Sequence, residues 1–306
     1  MKKLILSIAL LGSAVTYNAQ ETELQSTDLT VTHLDSIPEG WTKGGLFNLS
    51  FSQVSLSNWV GGGQDAITLN GLLSIYANQR KGIRTWENSL TLGYGVTKQG
   101  DLGFIKNDDR VDLTSKLGRR INNSNWYLAA VGNFRTQMFD GFTAPGDANR
   151  ISTFMAPGYL TVALGLDYKP NANFSFLIAP ITSKNTIVRD DALAAVGAFG
   201  VDPGSNFRSE FGGLIRAEYT KAEILKNVDF STKVDMFSNY LESPDHIDVN
   251  WETIIGMRVN KYITVMLSEL LIYDHDINIA APDAPNGFGP RAQFKQVFGV
   301  GFAYSF

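Results

Sequence analysis

The strongest constraint on this chain is a period of two. Leu90, Leu92, Tyr94 and Val96 alternate with Ser89, Thr91, Gly93, Gly95 and Thr97. The pattern returns in Val162-Leu164-Leu166-Tyr168, Phe211-Gly213-Ile215-Ala217-Tyr219 and Val228-Phe230-Thr232-Val234-Met236. The final segment sets Phe298, Val300, Phe302, Tyr304 and Phe306 against Val297, Gly299, Gly301, Ala303 and Ser305. Successive strand side chains point to opposite faces, so each segment lies between an apolar environment and a different one. About twelve such segments are predicted: 45–57, 66–79, 84–98, 109–121, 125–138, 157–169, 173–183, 208–221, 226–240, 246–259, 262–275 and 292–306. The one helical candidate, 190–199, lies inside a loop.

The connections alternate in length. Those at 80–83, 122–124, 170–172, 222–225 and 260–261 are short, while 141–156, 184–207 and 278–291 are long. Short turns at one end and long loops at the other mark an outer-membrane barrel, whereas a soluble sandwich has no reason to sort its loops. The predicted fold is therefore all-β: a transmembrane antiparallel up-and-down β-barrel with short periplasmic turns, long extracellular loops and both termini in the periplasm. Trp86, Trp126, Phe174 and Tyr262 open strands after short turns, and Tyr76, Tyr168 and Tyr219 close strands before them. They predict one interfacial girdle; Trp59, Phe139, Tyr240 and Tyr273 predict the second.

Composition narrows the remaining classes. Among 306 residues, 30 acids face 26 bases and cysteine is absent. There is no basic excess for nucleic acid, no thiolate metal site and no cysteine nucleophile. Lys2-Lys3, the apolar stretch 4–15 and Tyr17-Asn18-Ala19 have the layout of a secretory signal peptide over 1–19. A polar periplasmic leader over 20–44 and the barrel over 45–306 follow. The closing strand, with Phe302, Tyr304 and Phe306, looks like a signal for outer-membrane assembly machinery.

Several stretches carry a family resemblance: Ser57-Asn58-Trp59-Val60-Gly61-Gly62-Gly63, Asn88-Ser89-Leu90-Thr91-Leu92-Gly93-Tyr94-Gly95 and Ala163-Leu164-Gly165-Leu166-Asp167-Tyr168-Lys169-Pro170. Phe237-Ser238-Asn239-Tyr240-Leu241, Asp248-Val249-Asn250-Trp251-Glu252 and Val259-Asn260-Lys261-Tyr262 extend it. The chain resembles the domain-of-unknown-function 3078 family of Bacteroidota. That resemblance implies an outer-membrane location in a Gram-negative cell and assigns no activity.

Candidate site residues come from facing. If Asn260-Lys261 is a two-residue turn, Val259 opposes Tyr262. Val249, Trp251, Ile255, Met257 and Val259 then face lipid together with Ile272, Leu270, Met266 and Tyr262. His246, Asp248, Asn250, Glu252 and Arg258 face the lumen, opposite His275, Tyr273, Leu271, Glu269 and Ile263. Glu252 and Glu269 become directly opposed, with Cβ atoms about 5 Å apart. Such carboxylates share a proton, bind a hard cation or are neutralised by bases. Lys233, Asp235, Arg216, Arg110, Lys116 and Asp112 are also predicted to point inward, and a salt-bridged interior is the plainest reading. His246 and His275, among aspartates, are a candidate divalent-metal pair. No cofactor is expected.

Barrels of this size include phospholipases, but Ser268, read as lipid-facing opposite Thr253, has no histidine within reach, so no enzyme is expected. The functional expectation is a narrow porin-like channel for small polar solutes or ions. Inward Gly93, Gly95, Gly118, Gly165, Gly299 and Gly301 leave room, and the 184–207 loop caps the barrel or constricts it. The alternative is a closed barrel serving as an accessory subunit of an envelope complex. Expected partners are outer-membrane lipid and lipopolysaccharide, the assembly machinery and envelope proteins, with no nucleic acid.

Overall fold

The computed structural model describes residues 38–56, 64–280 and 288–305. In chain order the strands are β1 (Gly40–Val54), β2 (Ala66–Lys81), β3 (Arg84–Gln99), β4 (Ile105–Arg120) and β5 (Trp126–Thr136). A small hairpin, β6 (Gly141–Phe142) and β7 (Arg150–Ser152), precedes β8 (Gly158–Asn171) and β9 (Phe174–Ile187). Then come β10 (Phe207–Leu225), β11 (Val228–Asn239), β12 (Ile247–Arg258) and β13 (Ile263–Tyr273). A second small hairpin, β14 (Asn278–Ala280) and β15 (Phe288–Pro290), leads into β16 (Gln293–Ser305). Without the two small hairpins, twelve strands form a closed antiparallel barrel in the ring order β1-β16-β13-β12-β11-β10-β9-β8-β5-β4-β3-β2. Closure is made by β1 on β16, with Leu49 opposite Phe302. The barrel begins earlier than expected, because residues 40–44, read as leader, pair with β2. The signal-peptide segment, the leader to residue 37 with His33, the 57–63 motif with Trp59, and Phe306 lie outside the described residues.

The alternation of connections holds. At one end the gaps are 82–83, 121–125, 172–173, 226–227 and 259–262; at the other they are 55–65, 100–104, 137–157, 188–206, 240–246 and 274–292. Glycine and asparagine make the tight end possible: Gly82, Asn122 and Asn227 take φ of 57°, 52° and 61°. Asparagine tolerates that left-handed region better than most residues.

Exposed Leu69, Leu117, Leu128, Leu164, Ile215 and Phe298 cover the outer wall. At the turn end Trp126 packs on Tyr168 with centroids 4.9 Å apart, and Tyr262 stacks on Phe302 at 6.0 Å. At the loop end Tyr94 meets Phe139 at 4.9 Å and Phe211 meets Tyr240 at 6.1 Å. These are two aromatic belts on an apolar surface. Tyr76 and Tyr273, both expected in the girdles, line lumen cavities, and the Tyr76 hydroxyl lies 2.7 Å from where a Cβ on Gly44 would stand.

The inner wall differs from expectation in three ways. Two of the inward glycines bring strands together rather than leaving space: a Cβ on Gly165 would stand 2.1 Å from the Ile178 carbonyl, and one on Gly301 would stand 2.2 Å from that of Leu49. Ala129, Val131, Ala163, Leu177, Ala179, Leu214 and Phe237 form a buried apolar cluster on one side of the lumen. Finally, β9 carries a bulge where Pro180 sits, and the register against β8 and β10 shifts there. Proline lacks the N–H a ladder needs, so it sits at a bulge. The inward set changes from Ser175, Leu177 and Ala179 to Thr182, Lys184 and Thr186.

The long loop is shorter than read, because β9 extends to Ile187. Residues 188–206 hold a short helix, α1 (Asp191–Ala195), capped by the Asp190 side chain on the Leu193 N–H at 2.9 Å. Val188, Ala194 and Val201 bury against Ala156. Arg150 bridges Asp190 and Asp140, and Asp140 also accepts from the Thr153 hydroxyl. Hydrogen bonding from the Leu193 N–H, then Arg150, holds the Asp190 carboxyl below its usual range; the Thr153 hydroxyl does so first for Asp140. A carboxyl whose folded pKa is depressed stabilises the fold fully above its unfolded pKa of about 4 and loses that contribution as pH falls through the folded value. Protection of the Leu193 and Ala194 amides from hydrogen exchange is therefore expected to hold at neutral pH and to drop as the pH falls below about 4. Asp190→Asn, which still caps, should blunt the drop.

Candidate functional site

Lumen charges form three tiers. Near the turn end Lys116 on β4 lies 3.2 Å from both Glu87 and Asp167 and 3.7 Å from Glu218. Lys169 on β8 binds Glu87 and lies 3.6 Å from Asp167. Arg258 meets Glu223 at 2.7 Å and Asp229 at 3.6 Å.

The middle tier crosses the whole barrel. Arg110 on β4 hydrogen-bonds Glu252 on β12, and these strands stand on opposite sides of the ring. Lys233 on β11 lies 3.8 Å from Glu252 and 4.0 Å from Asp112 on β4. Arg216 holds Asp235 with two bonds, 2.6 and 2.8 Å, an Arg–carboxylate fork of the strong charge-assisted kind.

At the loop end Lys184 meets Asp248 at 2.6 Å, Asp274 at 3.1 Å and Glu210 at 3.5 Å. Lys295 on β16 meets Asp108 on β4 at 2.6 Å.

Two chambers flank the middle tier. The one toward the loops has a volume of about 350 Å³, and the one toward the turns about 170 Å³. Arg110, Asp112, Lys233 and Glu252 line both, so this four-residue waist is their shared partition. Among the described residues, no side chain of the 188–206 loop lines the upper chamber. The constriction is thus built from strands, and the loop packs on its own apolar cluster. In the upper chamber Arg110, Lys184, Arg216, Lys233 and Lys295 each hold a carboxylate. Arg135 differs: its Nε is buried with no acceptor among the described residues.

In the structure Glu252, Lys233, Asp235, Arg216 and Arg258 line the lumen, and Glu269 does not. Glu252 opposes Leu270, and Glu269 opposes Thr253. The turn is one residue longer than assumed, because the Asn260 side chain accepts from the N–H groups of both Tyr262 and Ile263, at 2.8 and 2.9 Å. A one-residue slip turns every side chain of a strand over. Thr264, Met266, Ser268, Leu270 and Ile272 therefore face inward, Glu269 faces outward, and no paired carboxylate site forms.

His246 and His275 do meet, with ring centroids 3.5 Å apart and planes at 31°. Stacked rings offer each other faces rather than nitrogens. The His275 Nδ1 is 3.1 Å from the Tyr273 hydroxyl, and among the described residues no group of three His, Cys, Asp or Glu side chains converges as a metal site. The geometry does not support the expected divalent ion.

Lys184 and Lys169 were missed by sequence reasoning. The parity of Lys169 with Asp167 signals an inward lysine, and Pro180 is the signal for the bulge that aims Lys184 inward.

With this geometry in place, the chain was compared with known proteins. Residues 51–142 match the family described as "Protein of unknown function (DUF3078)". The resemblance read from the sequence holds over that segment. The DUF3078 segment carries β2 to β5 and hence Glu87, Arg110, Asp112, Lys116 and Arg135; their carboxylate and lysine partners Asp167, Lys233 and Glu252 lie outside it. No match was found among curated proteins. Among solved structures, an outer membrane channel from Pseudomonas putida F1 is similar at 14% identity and TM-score 0.41, over 89% of this chain and 97% of that one. The translocator domain of the autotransporter NalP from Neisseria meningitidis gives 9% identity and TM-score 0.35, over 89% and 91%. The P. putida toluene transporter TodX gives 12% identity and TM-score 0.31, over 89% and 91%.

The fork between Arg216 and Asp235 is buried on both sides. Removing one partner of such a pair leaves an uncompensated charge and costs on the order of 3–5 kcal/mol, while replacing both is far milder. Arg216→Met is accordingly expected to lower the urea midpoint of the barrel strongly. Arg216→Met with Asp235→Leu should recover most of the loss, and a double-mutant cycle reads the coupling.

Proposed function

We propose that this chain is an outer-membrane barrel whose lumen is a narrow, charge-lined passage for small polar solutes or ions, shut at its waist by the Arg110–Glu252 bridge. The observation that carries this reading is the pair of chambers on either side of one thin partition of four charged side chains. A barrel meant only to be solid has no need of cavities lined by ion pairs. The apolar outer wall and its two aromatic belts support a membrane-spanning orientation, with the short turns in the periplasm. Opening this bridge needs only rotamer changes of the Arg110 and Glu252 side chains, with no strand displaced. Arg135 lines the upper chamber, and its positive charge there favours anionic solutes. The reading assigns no catalysis: the two lumen-end histidines are engaged with each other and with Tyr273.

A second reading, a closed barrel acting as an accessory subunit, is favoured by the apolar cluster that fills one side of the lumen. Conductance separates the two. The refolded chain in a planar bilayer is expected to show rare, small openings, and Glu252→Gln should make them frequent by weakening the bridge. Arg135→Gln should shift the reversal potential in a salt gradient away from anions. Silence from both wild type and Glu252→Gln would establish the closed barrel instead.

A further inference from the structure

The outer wall beside the β2–β3 turn carries the next inference. Lys81 ends β2, Arg84 opens β3, and the two are directly opposed. Arg84 is in turn directly opposed to Arg119 on β4. All three are exposed and share the parity of exposed Leu69, Trp86 and Leu117, so they stand in one row on the outer face. Opposed side chains have Cβ atoms about 5 Å apart, and like charges so placed repel. Among the described residues no carboxylate forms an ion pair with any of the three. Glu39, the acid at this turn, accepts from the Gly82 N–H at 3.0 Å and lies 3.8 Å from Arg80, whose parity is inward.

Two tryptophans stand one row further into the wall. Trp41 and Trp86 meet with ring centroids 5.7 Å apart, and Gln79 is directly opposed to both. The Trp86 indole N–H donates to the Ser115 hydroxyl at 2.9 Å, which fixes that ring. Other outward cations at the turn end are arranged differently. Lys43 lies 5.9 Å from the Trp41 ring centroid and Lys261 4.7 Å from that of Tyr262, while Lys221 is opposed to Phe230.

Three clustered cations beside an apolar wall are unfavourable unless an anion sits among them. The row lies at the strand ends, where apolar wall meets turn and tryptophan marks headgroup depth. At that depth the anion on offer is a lipid headgroup. Guanidinium forks match phosphate oxygens in pairs. We infer that Lys81, Arg84 and Arg119 bind the phosphodiester of an anionic phospholipid in the leaflet on the turn side, with Trp41 and Trp86 against its glycerol and upper acyl chain. The inference rests on the membrane-spanning reading above.

The test compares thermal unfolding of the full chain, read by circular dichroism, in vesicles of phosphatidylcholine alone and in vesicles that also hold phosphatidylglycerol. Flotation first selects inserted protein. Wild type should melt higher in the mixed vesicles. Arg84→Gln and Arg119→Gln, made separately, should lose most of that gain. In phosphatidylcholine alone each should melt no lower than wild type, because each removes a repulsion. Lys221→Gln, which alters an outward cation away from the row, should keep the gain. Native mass spectrometry from a neutral detergent counts the lipid: wild type should retain phosphatidylglycerol over phosphatidylcholine, and either arginine variant should retain severalfold less.

A loss in Lys221→Gln equal to that in Arg84→Gln means diffuse attraction to a charged surface and overturns the site. Arginine variants that melt lower in phosphatidylcholine yet gain as much as wild type in the mixture have a structural role, which also overturns it. An equal gain from inorganic phosphate added to phosphatidylcholine vesicles overturns the lipid as the source of the anion. Any of these results leaves the membrane reading standing, whereas protein that does not float overturns both.

Discussion

Everything in this molecule depends on ring closure between β1 and β16. An open sheet of these strands would leave two unpaired edges, and in hydrocarbon each unpaired N–H and C=O is expensive. Once Leu49 lies opposite Phe302, no barrel edge remains, and the facing of each strand is locked to that of its neighbours. A single parity then runs around the wall, changed only where a bulge or an extra turn residue intervenes. The same backbone ladder thus sorts apolar side chains to the outside and charged ones to the inside.

Closure also makes charge pairing across the lumen possible. Arg110 and Glu252 are 142 residues apart in the chain and sit on opposite strands of the ring. Lys116 joins carboxylates from β3, β8 and β10. Such groups are held away from bulk water, where an ion pair gains strength and an unpaired charge becomes costly. The lumen is consequently a mosaic rather than an open tube. One side is filled by small and apolar residues, and the other carries bridges with space above and below them.

Much of the fold was legible because period-two alternation and turn spacing are local properties. The twelve strands and the order of short and long connections follow from them. So does the inward facing of Lys233, Asp235, Arg216 and Glu252. What was not legible depended on single residues with disproportionate geometric effect. The Asn260 side chain lengthens one turn by a residue, and with it Glu269, Ser268, Leu270 and Met266 exchange faces. Pro180 does the same in mid-strand and brings Lys184 inside. Pairing across the ring is beyond any local pattern, since it is set by curvature and closure.

The bulge at Pro180 makes β9 in effect two half-strands with independent facing. Below it, odd-numbered positions are interior; above it, even-numbered ones are. Deleting that one residue would remove the bulge and leave both halves facing as they do now, whereas a change that straightened the strand with every residue kept would turn Lys184 to the outer wall, away from Asp248 and Asp274. Sequence tolerance along this strand therefore reverses its phase halfway. Variation among natural or engineered versions of the chain should show hydrophobic substitutions accepted on opposite parities either side of residue 180.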